Sequence, residues 1–562
     1  MLHYAYDYSF YEFDDEKDIE SYGVLLCDVV HGKPPMKPLY IGIGWYWYYH
    51  AIRWAAETLC LPTTKGWDSR FINGYPYITS IRTTENERKE REPIFREKIR
   101  PFLTDFISLW NRDKLTLLQE YESLKKKYNL IRWEDIKQLS NIQLLSMFLD
   151  WAFETNRKEA EYHFLYMIAA NYINGTFQNW WRDVFKEEPT VSEEFNVLQR
   201  GIEEEVSEQK VFFELWKLAQ DAKNMGLGQL FEKAEPNGIL KELEGSEIGE
   251  KWLVKLDEFL LKHGWRCERM HAYDTPSWLE KRELPLMYIK LFLPQDEFLP
   301  TRNTQEFIKQ RELLIKNIEK RLNPAQKEVF LILAKASRGA AYFSEDHTYY
   351  CDLYIGALGR WITSEFGRRF AEAGVIDEPE DVYFLTPNEI RKAAIPMSKV
   401  SLRPYVEKRK AFWKKALETE PLPYYGDISL AQDVLRSDPT LQVSTQLPIV
   451  REELKADLYG AASAPGVAEG VARVITSVDQ LSELRPGEIL VAPGVSTEWV
   501  AAFGIIKGLV TDGGSALSHP VIMSREYGIP CVAGCLEATK KIKTGMRIRV
   551  DGTKGVVYIL TK

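Results

Sequence analysis

The sequence predicts a multidomain protein in which a large, mainly α-helical domain is followed by a small α/β domain. Three observations support this fold class. With 562 residues, the chain is too long for one hydrophobic core. Apolar residues recur at three- and four-residue spacing through most of it, whereas the last part alternates Val, Ile and Gly in short segments. A stretch rich in Pro, Gly and Asp separates the two patterns.

The helical pattern extends from about Tyr40 to Glu420. It is clearest in "LTLLQEYESLKKKYNLI", "QLLSMFLDWAFETNRKEAEYHFLYMIAANYI" and "NTQEFIKQRELLIKNIEKRLN". The separating stretch, "EPLPYYGDISLAQDVLRSDPTLQVSTQLPIV", is typical of a connector. We therefore expect a helical domain at 1–445, a linker at 446–456 and the α/β domain at 457–562.

Composition and charge exclude several classes of protein. Hydrophobic residues make up 45% and charged residues 28% of the chain, as in ordinary globular proteins. The formal net charge of -9 argues against a nucleic-acid or anionic-membrane partner, because both are bound through clustered Lys and Arg. The first residues resemble no signal peptide and no segment is apolar enough to span a membrane, so we expect a cytoplasmic protein. We interpret the six cysteines as reduced and structural, and expect no metal site.

One short segment near the end carries the strongest chemical signal. In "TDGGSALSHPVIMSREYGIPCVAG", a strand ending at Thr511 leads through a Gly-Gly turn to a helix with Ser518, His519 and Pro520 in its first turn. Ser caps helices and Pro is favoured at their start. The free N–H groups and positive dipole end of such a helix favour an anion, and a phosphate is the anion most easily held there.

This segment resembles the phosphohistidine signature of the swivelling domain in enzymes related to phosphoenolpyruvate synthase. "GAASAPGVAEGVARV" and "VDGTKGVVYIL" resemble the opening and closing strands of the same domain. The resemblance implies that His519 carries a phosphoryl or pyrophosphoryl group and that the small domain swings between two sites. It also implies phosphate-binding roles for the residues that match the pattern around His519, namely Thr511, Gly513, Gly514, Ser518 and Arg525.

The helical part resembles the substrate domain of rifampicin phosphotransferase and phenylphosphate synthase. The segments that carry this resemblance include "KPPMKPL", "FINGYPY", "HGWRCERMHAYDTPSW", "SEDHTYYCDLYIGALGRWITSEFG" and "DEPEDVYFLTPNEI". Relatives of this kind normally begin with an ATP-grasp domain, and these segments leave no room for one. The resemblance therefore implies the histidine-bearing subunit of a phenylphosphate synthase. We then expect ATP and Mg²⁺ to bind a separate ATP-grasp subunit, and this chain to bind no cofactor.

A small phenolic substrate needs a group that favours the phenolate, because the pKa of a phenol is ~10. Glu345 and His347 in "SEDHTYY" are the candidates for this catalytic role, with Asp346 as a substrate contact. The family pattern at this place is closer to R-E-x-x-K, and Ser344 and Thr348 replace both basic residues. The remaining candidate substrate contacts are Arg266, His271, Trp45 and Trp47.

Each of these residues also has a structural interpretation. His347 lies among tyrosines and His271 beside Met270, so either can be a packed, hydrogen-bonded histidine. The aromatic run "GWYWYYHAIRW" can fill the helical core instead of lining a pocket.

Two other functions stay open. One is an antibiotic-type or other small-molecule phosphotransferase subunit, and the other is a non-catalytic phosphocarrier or regulatory protein that exposes an apolar docking patch.

Overall fold

The computed structural model describes residues 22–28, 35–187, 189, 192–234, 236–266, 273–438, 441, 454–495, 499–514 and 518–561. The chain divides into two compact units. The first unit consists of residues 1–172, 270–275 and 350–446. The second consists of residues 173–269, 276–349 and 447–562. Each unit is thus assembled from three separate stretches of sequence.

The strands fall into an early set and a late set. The early set is β1 (Val24–Cys27), β2 (Thr64–Ile72), β3 (Tyr75–Arg82) and β4 (Tyr424–Gly426). The late set is β5 (Leu458–Tyr459), β6 (Ala461–Ala464), β7 (Val467–Val474), β8 (Ile489–Ala492), β9 (Gly508–Thr511), β10 (Cys531–Ala533), β11 (Arg547–Asp551) and β12 (Val556–Thr561).

Helices fill most of the remaining described chain. Those up to residue 263 are α1 (Pro38–Tyr40), α2 (Tyr46–Leu59), α3 (Glu85–Lys127), α4 (Asn141–Leu149), α5 (Asn156–Phe185), α6 (Glu193–Leu198), α7 (Ser207–Asn224), α8 (Gly228–Lys233), α9 (Pro236–Glu244) and α10 (Glu247–His263). Those that follow are α11 (Leu284–Phe292), α12 (Leu299–Glu319), α13 (Pro324–His347), α14 (Tyr354–Glu372), α15 (Pro387–Ala393), α16 (Arg403–Leu417), α17 (Ala431–Ser437), α18 (Val500–Phe503), α19 (His519–Tyr527) and α20 (Ala538–Lys541).

The first unit contains an antiparallel sheet that the helical reading of its sequence did not predict. The strand order is β2-β3-β1-β4, and each neighbouring pair is antiparallel. β2 and β3 form a hairpin whose turn is Asn73-Gly74, and both residues have positive φ, 52° and 78°. Asn-Gly is the preferred pair for such a turn because both positions must adopt a left-handed backbone. The hairpin therefore had a local sequence signal inside "FINGYPY".

Within the part of the chain that the structure describes, three π-helical turns interrupt the helices, at Ile41–Trp45, Asp150–Thr155 and Thr348–Leu353. Each turn leads directly into an α-helix, respectively α2, α5 and α14. A π turn inserts an extra residue into the helical repeat and rotates the side chains that follow, and such turns are frequent at functional sites. Periodicity in the sequence does not distinguish them from ordinary helix.

The second unit combines helices with the eight-stranded sheet β5-β12-β11-β7-β8-β9-β10-β6. Its centre, β7-β8-β9-β10, is parallel, and antiparallel pairs flank it. One buried apolar cluster runs through the unit, from helical residues such as Phe212 and Trp252 to Leu490 and Leu509 in the sheet. β9 lies in the middle of the sheet with all four of its residues buried. Its carboxyl end is therefore firmly positioned.

The fold class expected from the sequence is confirmed at the level of a mainly helical chain with a small α/β domain at its end. The domain limits at 445 and 457 remain predictions. Most of the predicted linker, residues 446–453, lies outside the described residues. Among the helices that the structure describes, none combines the length and the apolar character needed to cross a membrane.

Candidate functional site

The candidate site begins at the carboxyl end of β9, in the centre of a parallel sheet, where α/β proteins commonly bind ligands. Thr511 is fully buried, and its hydroxyl donates to the carbonyl of Gly513 at 2.6 Å. The N–H of Gly513 donates to the carbonyl of Pro493 at 2.7 Å. These bonds tie the turn after β9 to the loop after β8. Both residues thus have a defined role in shaping the turn, and their contact with a phosphate remains a prediction.

Two separate features exclude a side chain at Gly514. Its φ is +112°, a backbone region that residues with a Cβ rarely adopt. A Cβ on Gly514 would also come within 2.8 Å of the Ser518 hydroxyl oxygen. Residues 515–517, which join the two, lie outside the described residues. The close approach of Gly514 and Ser518 sets how the chain enters the next helix.

The helix α19 starts at His519, directly after the N-cap residue Ser518, which has extended backbone angles. Pro520 lies in its first turn, and Gly528 ends it with a φ of 70°. A proline here costs no helical hydrogen bond, and a glycine suits the left-handed position after the last turn. The sequence therefore specifies both ends of α19. The structure describes the backbone of His519 at this helix start and not its side chain.

Two consecutive charged residues, Arg525 and Glu526, are buried near the C-terminal end of α19. Arg525 is 7% exposed, and burial together with the neighbouring charge of Arg200 lowers its pKa to about 10. It follows His519 by six residues, or about 9 Å along the helix axis. Arg525 therefore supplies a buried positive charge within the second unit, and its direct contact with a phosphate remains a prediction.

Glu526 was not singled out from the sequence, yet its carboxylate is one of the most perturbed groups of the second unit. It accepts hydrogen bonds from the backbone N–H of Gly201, at 2.9 Å to one oxygen and 3.3 Å to the other. Burial raises its pKa to about 7, and the nearby Glu345 carboxylate adds to the effect while the backbone donors oppose it. A buried carboxyl close to a second one inside a protein is a common feature of functional sites. The only sequence signal was the charged pair "RE" inside an otherwise apolar helix.

Glu345, Asp346 and His347 end the helix α13, also in the second unit. Glu345 is 1% exposed and Asp346 is fully buried. Asp346 accepts a hydrogen bond from the backbone N–H of Ser207, the first residue of α7, at 2.9 Å. This carboxylate thus stabilises a helix start, where the dipole favours a negative charge. Its predicted contact with substrate stays untested.

His347 is half-buried and the most accessible of these three residues. Its Nδ1 lies 3.0 Å from the carbonyl oxygen of Phe343, and its ring stacks on that of Phe343 with centroids 4.8 Å apart. A carbonyl accepts but cannot donate, so Nδ1 carries a proton and a neutral ring has its lone pair on Nε2. The ring is therefore oriented and in the tautomer that a general base requires.

Arg266 is placed in an aromatic environment of the second unit. It is 2% exposed, and its guanidinium carbon lies 5.2–5.7 Å from the ring centroids of Trp265, Trp278 and Tyr349. Such cation–π contacts stabilise a buried cation. The charge of Arg266 also contributes, after burial, to lowering the pKa of His263 to about 4. His271, another predicted substrate contact, lies outside the described residues.

Trp45 and Trp47 belong to the first unit, whereas the other described candidates belong to the second. Trp45 is 5% exposed, and its indole N–H donates to the hydroxyl of Ser69 at 3.5 Å. Trp47 donates to the carbonyl of Ala152 at 2.5 Å. Both rings are thus held by the packing of their own unit. Their role as walls of a substrate pocket remains a prediction.

Two regions of the chain match profiles of known protein families. The family profile of the mobile domain of PEP-utilising enzymes matches residues 484–555, which include the turn, α19 and His519. The profile of the rifampicin phosphotransferase fourth domain matches residues 164–345, which end at Glu345. Each match covers less than half of the chain and is a similarity of that part alone. The segment that matches the mobile domain lies in the second unit and includes the candidate site.

Curated relatives match the chain at moderate identity. The phosphotransferase YvkC of Bacillus subtilis is 27% identical over 358 residues, which are 62% of this chain and 41% of the relative. The rifampicin phosphotransferase of Bacillus cereus is 28% identical over 58% of this chain and 37% of its own length. The phosphoenolpyruvate synthase of Pyrococcus furiosus is 44% identical over 107 residues, 19% of this chain and 13% of the relative. The matches thus span about two fifths or less of the length of these relatives.

Proposed function

We propose that the chain is the carrier and acceptor part of a phosphotransferase, in which His519 holds a phosphoryl group and passes it to the hydroxyl of a small phenol. One observation carries the proposal. His519 is the first residue of α19, which follows the central strand β9, and the match to the mobile domain of PEP-utilising enzymes includes this segment, which supports the proposal. A helix start of this kind favours a phosphate.

The proposed phosphoryl transfer has two steps, phosphorylation of His519 and transfer from His519 to the acceptor. In the first, a neutral imidazole nitrogen of His519 attacks the phosphorus of a phosphorylated donor, a P–N bond forms, and the P–O bond to the leaving group breaks. In the second, the oxygen of the acceptor attacks the same phosphorus, a P–O bond forms, and the P–N electrons return to the ring. The hydroxyl proton leaves to a base, for which the orientation of His347 makes it the better candidate than the buried Glu345.

The phenolic acceptor is the finer part of the proposal. It rests on the resemblance of the helical segments to the substrate domain of phenylphosphate synthase and on a composition with 13% aromatic residues. We further propose that a separate ATP-grasp protein, with ATP and Mg²⁺, charges His519 and that both proteins work in the cytoplasm. This chain then contributes the carrier histidine and the residues that receive the acceptor.

A second candidate acceptor is an antibiotic. The match of residues 164–345 to the rifampicin phosphotransferase fourth domain favours it, as do the relatives named rifampicin phosphotransferase. The two acceptors differ in size and not in the chemistry at His519. A test must therefore compare acceptors on the same phosphorylated histidine.

The reverse of the second step tests the proposal on this chain alone. Incubation with phenyl phosphate labelled at phosphorus should transfer label to the protein, in a form that is labile to acid and stable to base, and peptide mapping should locate it at His519. The variant His519→Ala should take up none. If the protein takes label from a phosphorylated rifampicin and none from phenyl phosphate, the acceptor is the antibiotic and not the phenol. No histidine-bound label from either donor would overturn the function.

A further inference from the structure

The first unit contains a cluster of metal-ligating side chains that the proposed phosphotransfer does not use. Glu159, His163 and Cys351 offer one oxygen, one nitrogen and one sulfur that all lie within 4.8 Å of one another. Asp352 is adjacent, with a carboxylate oxygen 3.7 Å from Nδ1 of His163. All four side chains are at most 3% exposed. Buried carboxylates in such a group need a compensating charge or a proton.

Glu159 gives an independent observation that points to a cation ligand. Its Oε1 atom is completely buried and makes no hydrogen bond to any described residue, although it lies 3.3 Å from Nδ1 of His163. A buried carboxylate oxygen without a hydrogen bond costs folding free energy unless the group is neutralised by a proton or by a neighbouring cation. Because this oxygen is close to Nδ1 of His163, the two atoms can be ligands of one cation.

Two of the three π turns described above adjoin or contain these residues. Glu159 and His163 are four residues apart on α5, one turn after the π turn Asp150–Thr155. Cys351 and Asp352 lie in the π turn Thr348–Leu353. Residues four apart share one face of an α-helix, and a π turn rotates its side chains away from the usual register. Adjacent Cys351 and Asp352 can thereby both reach the face that α5 presents.

We propose that Glu159, His163, Cys351 and Asp352 bind one divalent cation of the zinc class. A thiolate and an imidazole select zinc or a similar transition metal, whereas magnesium and calcium take oxygen ligands. Tetrahedral zinc with bonds of about 2.0–2.3 Å needs ligand atoms about 3.3–3.8 Å apart. The distances of 3.3 and 3.7 Å from Nδ1 of His163 already fall in this range.

The surroundings of the cluster fit a closed structural site. The hydroxyl of Tyr48 donates to a carboxylate oxygen of Asp352 at 3.0 Å, as an outer partner does for a metal-ligating carboxylate. Four buried protein ligands leave no position for water or substrate, which is the arrangement of structural zinc. The cation would join α5 to the π turn Thr348–Leu353 and hold the first unit together.

Metal analysis of the full chain tests this site. After expression with zinc and dialysis against metal-free buffer, the protein should retain about one zinc per chain. X-ray absorption at the zinc edge should show one sulfur among nitrogen and oxygen ligands. Cobalt in place of zinc should give the charge-transfer absorption of a thiolate ligand. Cys351→Ser should abolish that band, and Cys60→Ser, at a half-buried free cysteine of the same unit, should leave it intact.

Several outcomes would overturn the proposal. They are a chain that loses its zinc on dialysis, a zinc spectrum without sulfur, and a cobalt band that survives Cys351→Ser. Because the first two are measured on the unchanged protein, they decide the matter even where Cys351→Ser does not fold. The phosphotransfer function is tested separately by labelling of His519, and the two proposals can fail independently.

Discussion

Glu526 shows how a single buried residue can make the stability of the second unit depend on pH. Its pKa is raised from 4.5 to about 7, chiefly by burial, so the folded chain binds the proton more tightly than the unfolded chain. The stability that this proton contributes is fully present below pH 4.5 and is lost as the pH rises through about 7. The ionised carboxylate then also faces the nearby charge of Glu345.

We therefore expect Glu526→Gln to be more stable than the natural chain above pH 7, by up to about 3 kcal/mol, and to lose this advantage near pH 5. The amide oxygen of Gln can still accept the N–H of Gly201, so the change removes the charge and keeps the acceptor. Thermal unfolding of both proteins between pH 5 and pH 8 measures the difference. Glu483→Gln, at an exposed carboxylate of the same unit, serves as the control for the substitution itself. A constant difference for Glu526→Gln would contradict this account.

His347 is the residue at which acid–base assistance to the acceptor can be tested. Its ring is oriented by Phe343 and is more accessible than Glu345. We expect His347→Gln to slow phosphoryl transfer from His519 to phenol by ~10²–10⁴-fold, the loss typical of a general base. Transfer to a nitrophenol, whose hydroxyl ionises more easily, should slow much less. Equal losses of transfer rate for both acceptors would mean that His347 only packs against its neighbours and does not act as a base.

At the scale of single residues, the sequence identified where chemistry is possible but not how each side chain is used. Motif spacing singled out Asp346 and Arg266, and the structure shows that one caps α7 and the other is packed among aromatic rings. Spacing cannot reveal burial or the partner contributed by a distant segment. Glu526 was missed for the same reason, because the Gly201 N–H and the Glu345 charge come from other parts of the chain.

The turn between β9 and α19 is the element on which the candidate site depends. Gly514→Ala should destabilise the chain by about 1–3 kcal/mol, because a Cβ is strained at a φ of +112° and meets the Ser518 hydroxyl. Gly513→Ala is the matched control. At Gly513 φ lies outside the positive region, and the nearest neighbour of a Cβ is the Pro493 carbonyl at 3.2 Å. The unfolding temperature of Gly514→Ala should therefore be the lower of the two, and the reverse order would be incompatible with a turn built around Gly514.

Elements with strong local signals were predictable, and those set by distant contacts were not. The long helices followed from apolar spacing, and the start of α19 from Ser518 and Pro520. The β2–β3 hairpin was missed although Asn73-Gly74 marks its turn, because the helical pattern around it was extended across it. The π turns have no signal in periodicity, since one extra residue in a helix leaves its apolar face almost unchanged.

The division of the whole molecule into two units also lies beyond what a linear reading can give. The first unit takes residues 350–446 together with 1–172, and the second joins 173–269 and 276–349 to the mobile-domain segment. A change of composition detects a boundary only where neighbouring stretches belong to different units. Units assembled from separate stretches need the long-range contacts of the folded chain. The match to the mobile domain, in contrast, depends on a compact local pattern and was recognisable from residues 508–534.

Isotope exchange between labelled phenol and unlabelled phenyl phosphate tests the central claim most directly. The exchange needs only the second step and its reverse, so it requires this chain and neither ATP nor a partner protein. Transfer through His519 predicts that label enters phenyl phosphate at a rate proportional to the amount of chain, and that His519→Ala abolishes it while leaving the unfolding temperature unchanged. Undiminished exchange by a folded His519→Ala variant would contradict the account.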